Sequence, residues 1–455
     1  MVKPAPALTL TDIHSGYIIN PKDFFYTLDH LMNQKKHLNK HVPHAGNRKL
    51  HIAFLHPELV IGGSERLVVD AAVELQKKGH AVTVFTARYT EDYCFEETCT
   101  GYMDIRVRGS FIPPHIANRL RAPCSVARMA YATLAMAMSE CTYDIVFCDL
   151  VPHVVPLIRF VSSARIIYYC HYPDMLLAPK RTGIYALYRY PIDRLEELGL
   201  RMADCILVNS EFTAEVFRKA FPRLDTKRAD VLSPGIDLSR YSGDMKRPAS
   251  LPESSDADSK IILSLNRYDP GKNLNLAIES FRALKGIVPS ETFKQMRLVF
   301  AGAFDERLPE SRETLKHLKE LAETFDLREQ VIFLRSLTDA EINWLLNHCI
   351  CLVYTSINEH FGIGVVEAMA AGCAVVAVNQ GGPRETIEND VTGILCDPAP
   401  GAFANAIARI AADPAAAERM GRAGQQRAAA NFSRTAFGDR LNSIIGDIIK
   451  RRSNG

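Results

Sequence analysis

Ser356-Ile-Asn-Glu-His-Phe-Gly-Ile-Gly-Val-Val-Glu-Ala-Met-Ala-Ala-Gly372 decides how this chain folds. Cys349 to Thr355 precedes it as an almost wholly apolar run, the pattern of a parallel strand buried on both faces. Val365 to Ala371 is apolar and Ala-rich, which predicts a helix ending at Gly372 in the C′ position. Ala374 to Val378 predicts a second buried strand. Strand, loop, helix, strand is the repeating unit of a doubly wound sheet, and ligands sit there where strand ends meet helix N-termini. Gly362 and Gly364 open the helix with no side chain to keep a phosphate from the backbone amides. Glu359 falls in the loop, and Glu367 is placed in the first turn of the helix. A carboxylate beside a phosphate site repels the anion, so it needs a reason. Sugar and ribose diols supply one, because they donate paired hydrogen bonds to a carboxylate. With no ligand, Glu367 reads as a partner of the helix dipole and Glu359 as a solvated loop residue.

Working outward, 455 residues exceed one ordinary core, so two domains are expected. A hydrophobic content of 47% with 23% charged residues belongs to a soluble globular protein, and a net charge of +2 gives no case for nucleic acid. Eleven cysteines are scattered singly, which argues for reduced thiols and a cytosolic setting. No run reaches the ~20 apolar residues of a spanning helix, and no signal-peptide core precedes residue 50.

Residues 1–49 read as a basic, aperiodic extension in which Phe24 to Met32 suggests a short helix. Residues 50–245 read as a first doubly wound domain. It starts with the strand His51 to Leu55, the loop carrying Gly62-Gly63 and the helix Glu65 to Lys78. No third glycine stands at dinucleotide spacing, which disfavours an NAD site. Ile166 to Cys170 is a strand that delivers His171 at its carboxyl end, where site residues gather. Asn209 to Thr213 has capping-box chemistry. Leu120 to Ser139, with Arg119, Arg121 and Arg128, predicts an amphipathic helix. It either packs on the domain's own sheet or dips into a membrane surface. Residues 246–259 form a polar linker whose Asp256-Ala-Asp258 matches a metal motif in the wrong setting, a linker rather than a strand end. Residues 260–430 form the second domain. Arg267 and Lys272 follow its first strand, two cations suited to a diphosphate. Phe403 to Phe437 reads as Ala- and Arg-rich helix. Residues 431–455 read as a basic amphipathic C-terminal helix that packs back or touches a membrane.

Glu359-x7-Glu367 with His-Phe-Gly between them resembles the signature of retaining, nucleotide-sugar-dependent glycosyltransferases of the glycogen-synthase-like group. Those enzymes have two facing Rossmann-like domains, the GT-B type α/β fold. Arg267-x4-Lys272 matches the same family. Within it, His56-Pro-Glu-Leu, Gly62-Gly-Ser-Glu-Arg-Leu, Tyr169-Cys-His-Tyr-Pro-Asp174, Met202 to Ser210, Leu265-Asn-Arg-Tyr268 and Asn358 to Ile363 resemble the eukaryotic α-1,3/1,6-mannosyltransferases of dolichol-linked oligosaccharide assembly. Asp269-Pro-Gly271 departs from that pattern, which has more basic residues there.

The resemblance implies GDP-mannose as donor and a dolichol-pyrophosphate-linked Man-GlcNAc2 acceptor. It also implies a peripheral place on the cytosolic face of the endoplasmic reticulum, with the membrane surface and other glycosyltransferases of the pathway as candidate partners. No cofactor is expected and metal is not expected to be required. Gly62, Gly63, Arg267, Lys272, Phe361, Gly362, Ile363, Gly364 and Glu367 would hold the donor nucleotide. Glu359 and His171 would meet the transferred sugar, with Arg267 and Lys272 stabilising the leaving group. The alternatives are a related transferase with another nucleotide sugar or lipid acceptor, and an inactive scaffold member of a membrane complex.

Overall fold

The computed structural model describes residues 48–116, 120–177, 183–224, 229–241, 243, 245–252 and 259–453. The suggested helix Phe24 to Met32, Arg119 and the Asp256-Ala-Asp258 motif lie outside these residues.

Two parallel sheets organise the chain. The first takes β1 (His51–His56), β2 (Ala81–Thr86), β3 (Asp104–Val107), β4 (Ile145–Asp149), β5 (Arg165–Cys170), β6 (Cys205–Val208) and β7 (Asp230–Val231) in the order β3-β2-β1-β4-β5-β6-β7. The second takes β8 (Lys260–Leu265), β9 (Met296–Ala301), β10 (Val331–Phe333), β11 (Cys349–Tyr354), β12 (Val375–Val378) and β13 (Ile394–Cys396) in the order β10-β9-β8-β11-β12-β13. Both are doubly wound, as the apolar strand runs lead one to expect: helices cover both faces, so strands such as Ile145–Asp149 are buried throughout. Strand order reverses between β1 and β4 and between β8 and β11, and the crevices outside those strand ends are where such folds hold ligands.

The helices that position the site are α1 (Gly63–Lys77), α2 (Arg121–Ala137), α3 (Gly183–Met202), α4 (Glu211–Ala220), α5 (Asp339–His348), α6 (Ile363–Ala370), α7 (Pro414–Phe432) and α8 (Arg434–Ser453). The single helix expected from Phe403 to Phe437 is instead three, Pro400–Ala412, α7 and α8. Pro414 has no N–H to continue the first, and Asp413 caps α7 by accepting from the Ala416 amide.

The chain crosses between domains twice, side by side. The Ile236 amide donates to the Phe432 carbonyl, and the Arg434 amide donates to the Ile236 carbonyl, each at 2.8 Å. Gly235 is needed at this crossing, because a Cβ there would stand 2.8 Å from Arg434 Cα. Beyond it α8 returns to the first domain, where Phe437, Leu441, Ile445 and Ile448 enter the core beneath α1. Burying such side chains contributes about 1.5–3 kcal/mol each. Arg434 adds ion pairs to Glu97 at 3.0 Å and Asp237 at 3.1 Å.

Two open alternatives are decided here and one expectation is corrected. The apolar face of α8 is spent on the core and is not available to a membrane. Arg128 of α2 is buried, bonded to Glu58 at 2.8 Å and to the Ala87 carbonyl at 3.2 Å, while Met129, Ala132 and Met136 pack in the core. That helix therefore rests on its own sheet. Finally, Cys94 and Cys99 are bridged, brought together across the turns of 91–99, whereas the other nine cysteines are thiols.

Candidate active site

The loop after β11 gathers the groups expected on the donor side. Half-buried between strand end and helix, Glu359 pairs with Lys272 Nζ and accepts from Tyr354 Oη at 2.8 Å. Burial alone would raise its carboxyl, but the Lys272 ammonium and the hydroxyls of Ser356 and Tyr354 hold it below the ordinary value. Thr355 Oγ1 donates to the Lys272 carbonyl at 3.0 Å, fixing the lysine's backbone to the signature loop. Lys272 and Glu359 are thus brought together, and in the absence of donor each neutralises the other. Arg267 is 70% exposed and, among the described residues, has only a 3.9 Å contact to Asp269, so its fork can meet an anion.

Gly362 adopts φ +81° as the N-cap of α6, a left-handed conformation that a side chain would strain. Gly364 is buried against the end of β8, where an added Cβ would meet the Leu265 carbonyl at 3.5 Å. The Val365 amide donates to the Gly362 carbonyl at 3.0 Å, and the amides before it belong to the opening of α6, where a helix offers no acceptors of its own. Ile363 is exposed, while the Phe361 ring is buried and packs edge-on against Phe432 at 5.7 Å. Phe361 therefore seats the loop through its side chain and leaves only its backbone for a donor.

Glu367 is the fifth residue of α6, past the first turn where the sequence places it. Instead of answering the dipole it accepts from Tyr241 Oη at 2.9 Å. Burial pushes its carboxyl up, and the Tyr241 bond opposes this. Glu367, Tyr241, Asn266, Arg267, Gly302 and Asn343 line one cavity of about 220 Å³. The Asn266 side-chain amide is buried there without a partner among the described residues, a donor left for a ligand. Tyr241 and Asn266 were missed in the sequence. Tyr241 stands at the edge of what reads as linker, and no local pattern ties it to Glu367, 126 residues on.

Across the cleft, Gly62 and Gly63 start α1. Gly62 is extended, with φ −169°, and a Cβ on Gly63 would meet nothing within 4 Å. His171 follows β5, with Nε2 at 3.1 Å from Asp149 Oδ2, its ring 4.8 Å from that of Tyr169, and its carbonyl accepting from Asn209 Nδ2 at 3.3 Å. The two domains touch around it. Tyr172 stacks on His360 at 4.1 Å and 13°, and Ser210 Oγ donates to the His360 carbonyl. Ser210 caps α4 by accepting from the Thr213 amide, but the acid expected from capping-box chemistry comes from the other domain. Glu385 accepts from the Glu211 and Phe212 amides at 2.7 and 2.8 Å.

Among the described residues one group has metal-ligand spacing: His153, Asp174 and Glu196, with ligand atoms within 4.8 Å of one another. Its acids are already engaged. Glu196 accepts from the Asp174 and Met175 amides, and Asp174 pairs with Arg189 at 2.7 Å.

Residues 249–427 match the family model of glycosyl transferases group 1, and residues 61–240 match that of glycosyltransferase family 4. The chain is 40% identical to α-1,3/1,6-mannosyltransferase ALG2 of Homo sapiens over 403 residues, covering 88% of this chain and 96% of that one. It is 39% identical to the ALG2 mannosyltransferase of Rhizomucor pusillus over 419 residues, covering 88% and 92%. In fold it is similar to sucrose-phosphate synthase of Thermosynechococcus elongatus, with a TM-score of 0.69 and 21% identity, covering 89% of this chain and 100% of that one. Anabaena HepE in complex with UDP and glucose gives 0.64 and 21%, covering 88% and 100%.

Proposed function

The chain belongs to the α-1,3/1,6-mannosyltransferase family and is a mannosyltransferase, and we propose that it moves mannose from GDP-mannose to dolichol-pyrophosphate-linked Man-GlcNAc2, making α-1,3 and α-1,6 bonds with retention. One observation carries the reading of the site. Glu359 paired to Lys272, and Glu367 in a cavity shared with Arg267, belong to a single loop and the helix it opens.

The ribose diol donates to Glu367, exchanging with Tyr241. Arg267, the α6 amides and Lys272 take the diphosphate, and their charge stabilises most as the leaving group gains its own. Lys272 then lies between phosphate and Glu359, which turns a carboxylate oxygen toward the mannose. The bond from the anomeric carbon to the diphosphate breaks while the acceptor oxygen bonds that carbon from the same face. The departing phosphate oxygen takes the acceptor's proton. Protein cations and amides neutralise the diphosphate in this scheme, so metal is dispensable. His171 meets the sugar from the first domain, and cleft closure completes the site.

Among the described residues no helix is long and apolar enough to cross a membrane. A lipid-linked acceptor stays in the bilayer, so the protein binds the cytosolic face of the endoplasmic reticulum peripherally. The surface that supports this is apolar and exposed on the first domain: Phe111, Ile116 and Leu120 before α2, and Leu177, Leu187 and Tyr190 around the start of α3. Both helices pack against the same segment, residues 152–161.

The test is a donor panel. Purified protein with a short-chain isoprenoid acceptor is given GDP-mannose, GDP-fucose, UDP-glucose or UDP-N-acetylglucosamine. Elongation with GDP-mannose alone supports the reading; equal or better use of a UDP-sugar overturns it.

A further inference from the structure

His56, Asp149 and His171 stand in a row because β1, β4 and β5 are neighbours and each ends at the same edge of the sheet. Asp149 is fully buried, and both its oxygens are taken. Oδ1 lies 2.7 Å from His56 Nδ1 and Oδ2 lies 3.1 Å from His171 Nε2. His56 is buried as completely, and its far nitrogen Nε2 lies 3.7 Å from Glu65 Oε1. Glu65 sits in the first turn of α1, two residues after Gly63. One chain of four groups therefore runs from the glycine loop to the cleft: Glu65, His56, Asp149, His171.

We propose that His56 and Asp149 are positioning residues for mannosyl transfer, holding His171 so that Nε2 carries the proton and Nδ1 alone faces the cleft as an acceptor. This rests on the reading that His171 meets the transferred sugar. A buried carboxylate accepts only, so both imidazoles must donate to it. In the neutral imidazole, donation by Nε2 puts the lone pair on Nδ1, because which nitrogen is bare is set by the bond the other makes. Nδ1 has no protein partner among the described residues, and the adjoining Tyr172 stacks on His360 across the cleft. Such a group accepts a hydrogen bond from a sugar hydroxyl and cannot donate one.

Electrostatics supports the arrangement. Burial alone would drive Asp149 up and His56 down. Instead Asp149 and Glu65 raise His56 to about 10, and the cationic His56 with the His171 bond keeps Asp149 below its ordinary value. The charged groups facing His56 are Asp149 from β4 and Glu65 from α1. An imidazolium between two carboxylates keeps Asp149 ionised where water does not reach it. The Ser64 hydroxyl donates to Glu65 at 2.9 Å and fixes the outer end.

The experiment compares Asp149→Asn and His56→Gln with wild type, reading kcat and KM for GDP-mannose, melting temperature and the tautomer of His171 by ¹⁵N-imidazole NMR. The expected result for Asp149→Asn is a kcat about tenfold or more lower, as for other groups that orient a catalytic imidazole. Donor KM should stay within threefold, and the Nε2–H signal of His171 should give way to mixed tautomers. His56→Gln should move the same quantities in the same direction. Wild-type kcat in folded Asp149→Asn, or lost kcat with the His171 tautomer unchanged, overturns the proposal. Where Asp149→Asn does not fold, Glu65→Gln at the outer end serves. A kcat lowered with KM kept supports the chain, and an unchanged kcat overturns it. His171→Ala separates the two readings. If it retains activity, His171 has no role; if it is inactive while Asp149→Asn is normal, only the positioning chain fails.

Discussion

At the scale of single residues, Lys272 is held by a carboxylate that must release it, at least in part, to a phosphate. Lys272→Ala is expected to lower kcat about a hundredfold by removing charge that acts on the leaving group. Near-normal turnover would remove the diphosphate role. His56 gives a second residue-scale outcome, in stability. Its folded value lies above its ordinary 6.5, at about 10. The stability it contributes is therefore complete below pH 6.5 and is lost as pH rises toward 10. Wild type should lose melting temperature across that window, and His56→Gln should lose less; parallel curves would contradict this. Glu359 and Asp149 have the opposite sign, with folded values below the ordinary ones. Their contribution is present above about pH 4.5 and fails as acid protonates them.

At the scale of elements, the sequence made the strands and the α6 turn legible, because apolar runs, glycines and the two glutamates all lie within one short stretch. It could not say what covers the apolar face of a helix. α2 and α8 both carry arginines beside Met, Leu or Ile, the composition of a helix lying in headgroups. In α2 that face meets its own sheet, and in α8 it meets α1; only the pairing of distant segments decides the matter. The exposed apolar side chains lie instead in the segment before α2, at Leu177 and in the first two turns of α3. Leu177→Glu with Leu187→Glu is therefore expected to abolish flotation with anionic liposomes while transfer to a soluble short-chain acceptor persists. Unchanged flotation would exclude this surface. Arg128→Glu should instead destabilise the domain, since it sets a carboxylate against Glu58 in the buried place of Arg128, and an unpaired buried charge costs about 3–5 kcal/mol.

At the scale of the whole molecule, two domains are joined by paired crossings at Gly235 and Arg434 and meet again at the cleft. Neither feature shows in the linear sequence. Ser210 and Glu385 are 175 positions apart, and Tyr172 and His360 sit on different sheets. The family signature pointed to Glu359, Glu367, Arg267 and Lys272, while Tyr241, Asn266, His56 and Asp149 needed the fold to bring them to the candidate site. Glu385 closes the cleft with two charge-assisted bonds to α4, each of the kind that contributes about 1.5–3 kcal/mol. Glu385→Ala should raise donor KM on the order of tenfold by favouring an open cleft; an unchanged KM would show that these bonds do not govern closure. The most direct measurement is mannose transfer from GDP-mannose to dolichol-pyrophosphate-linked Man-GlcNAc2 in excess chelator, with the linkage and anomer of the product read by NMR. The expected result is an undiminished rate and an α-linked mannose. Activity abolished by chelator and restored by magnesium or manganese, or a β-linked product, would contradict a retaining transferase that neutralises the diphosphate with Arg267, Lys272 and the amides of α6.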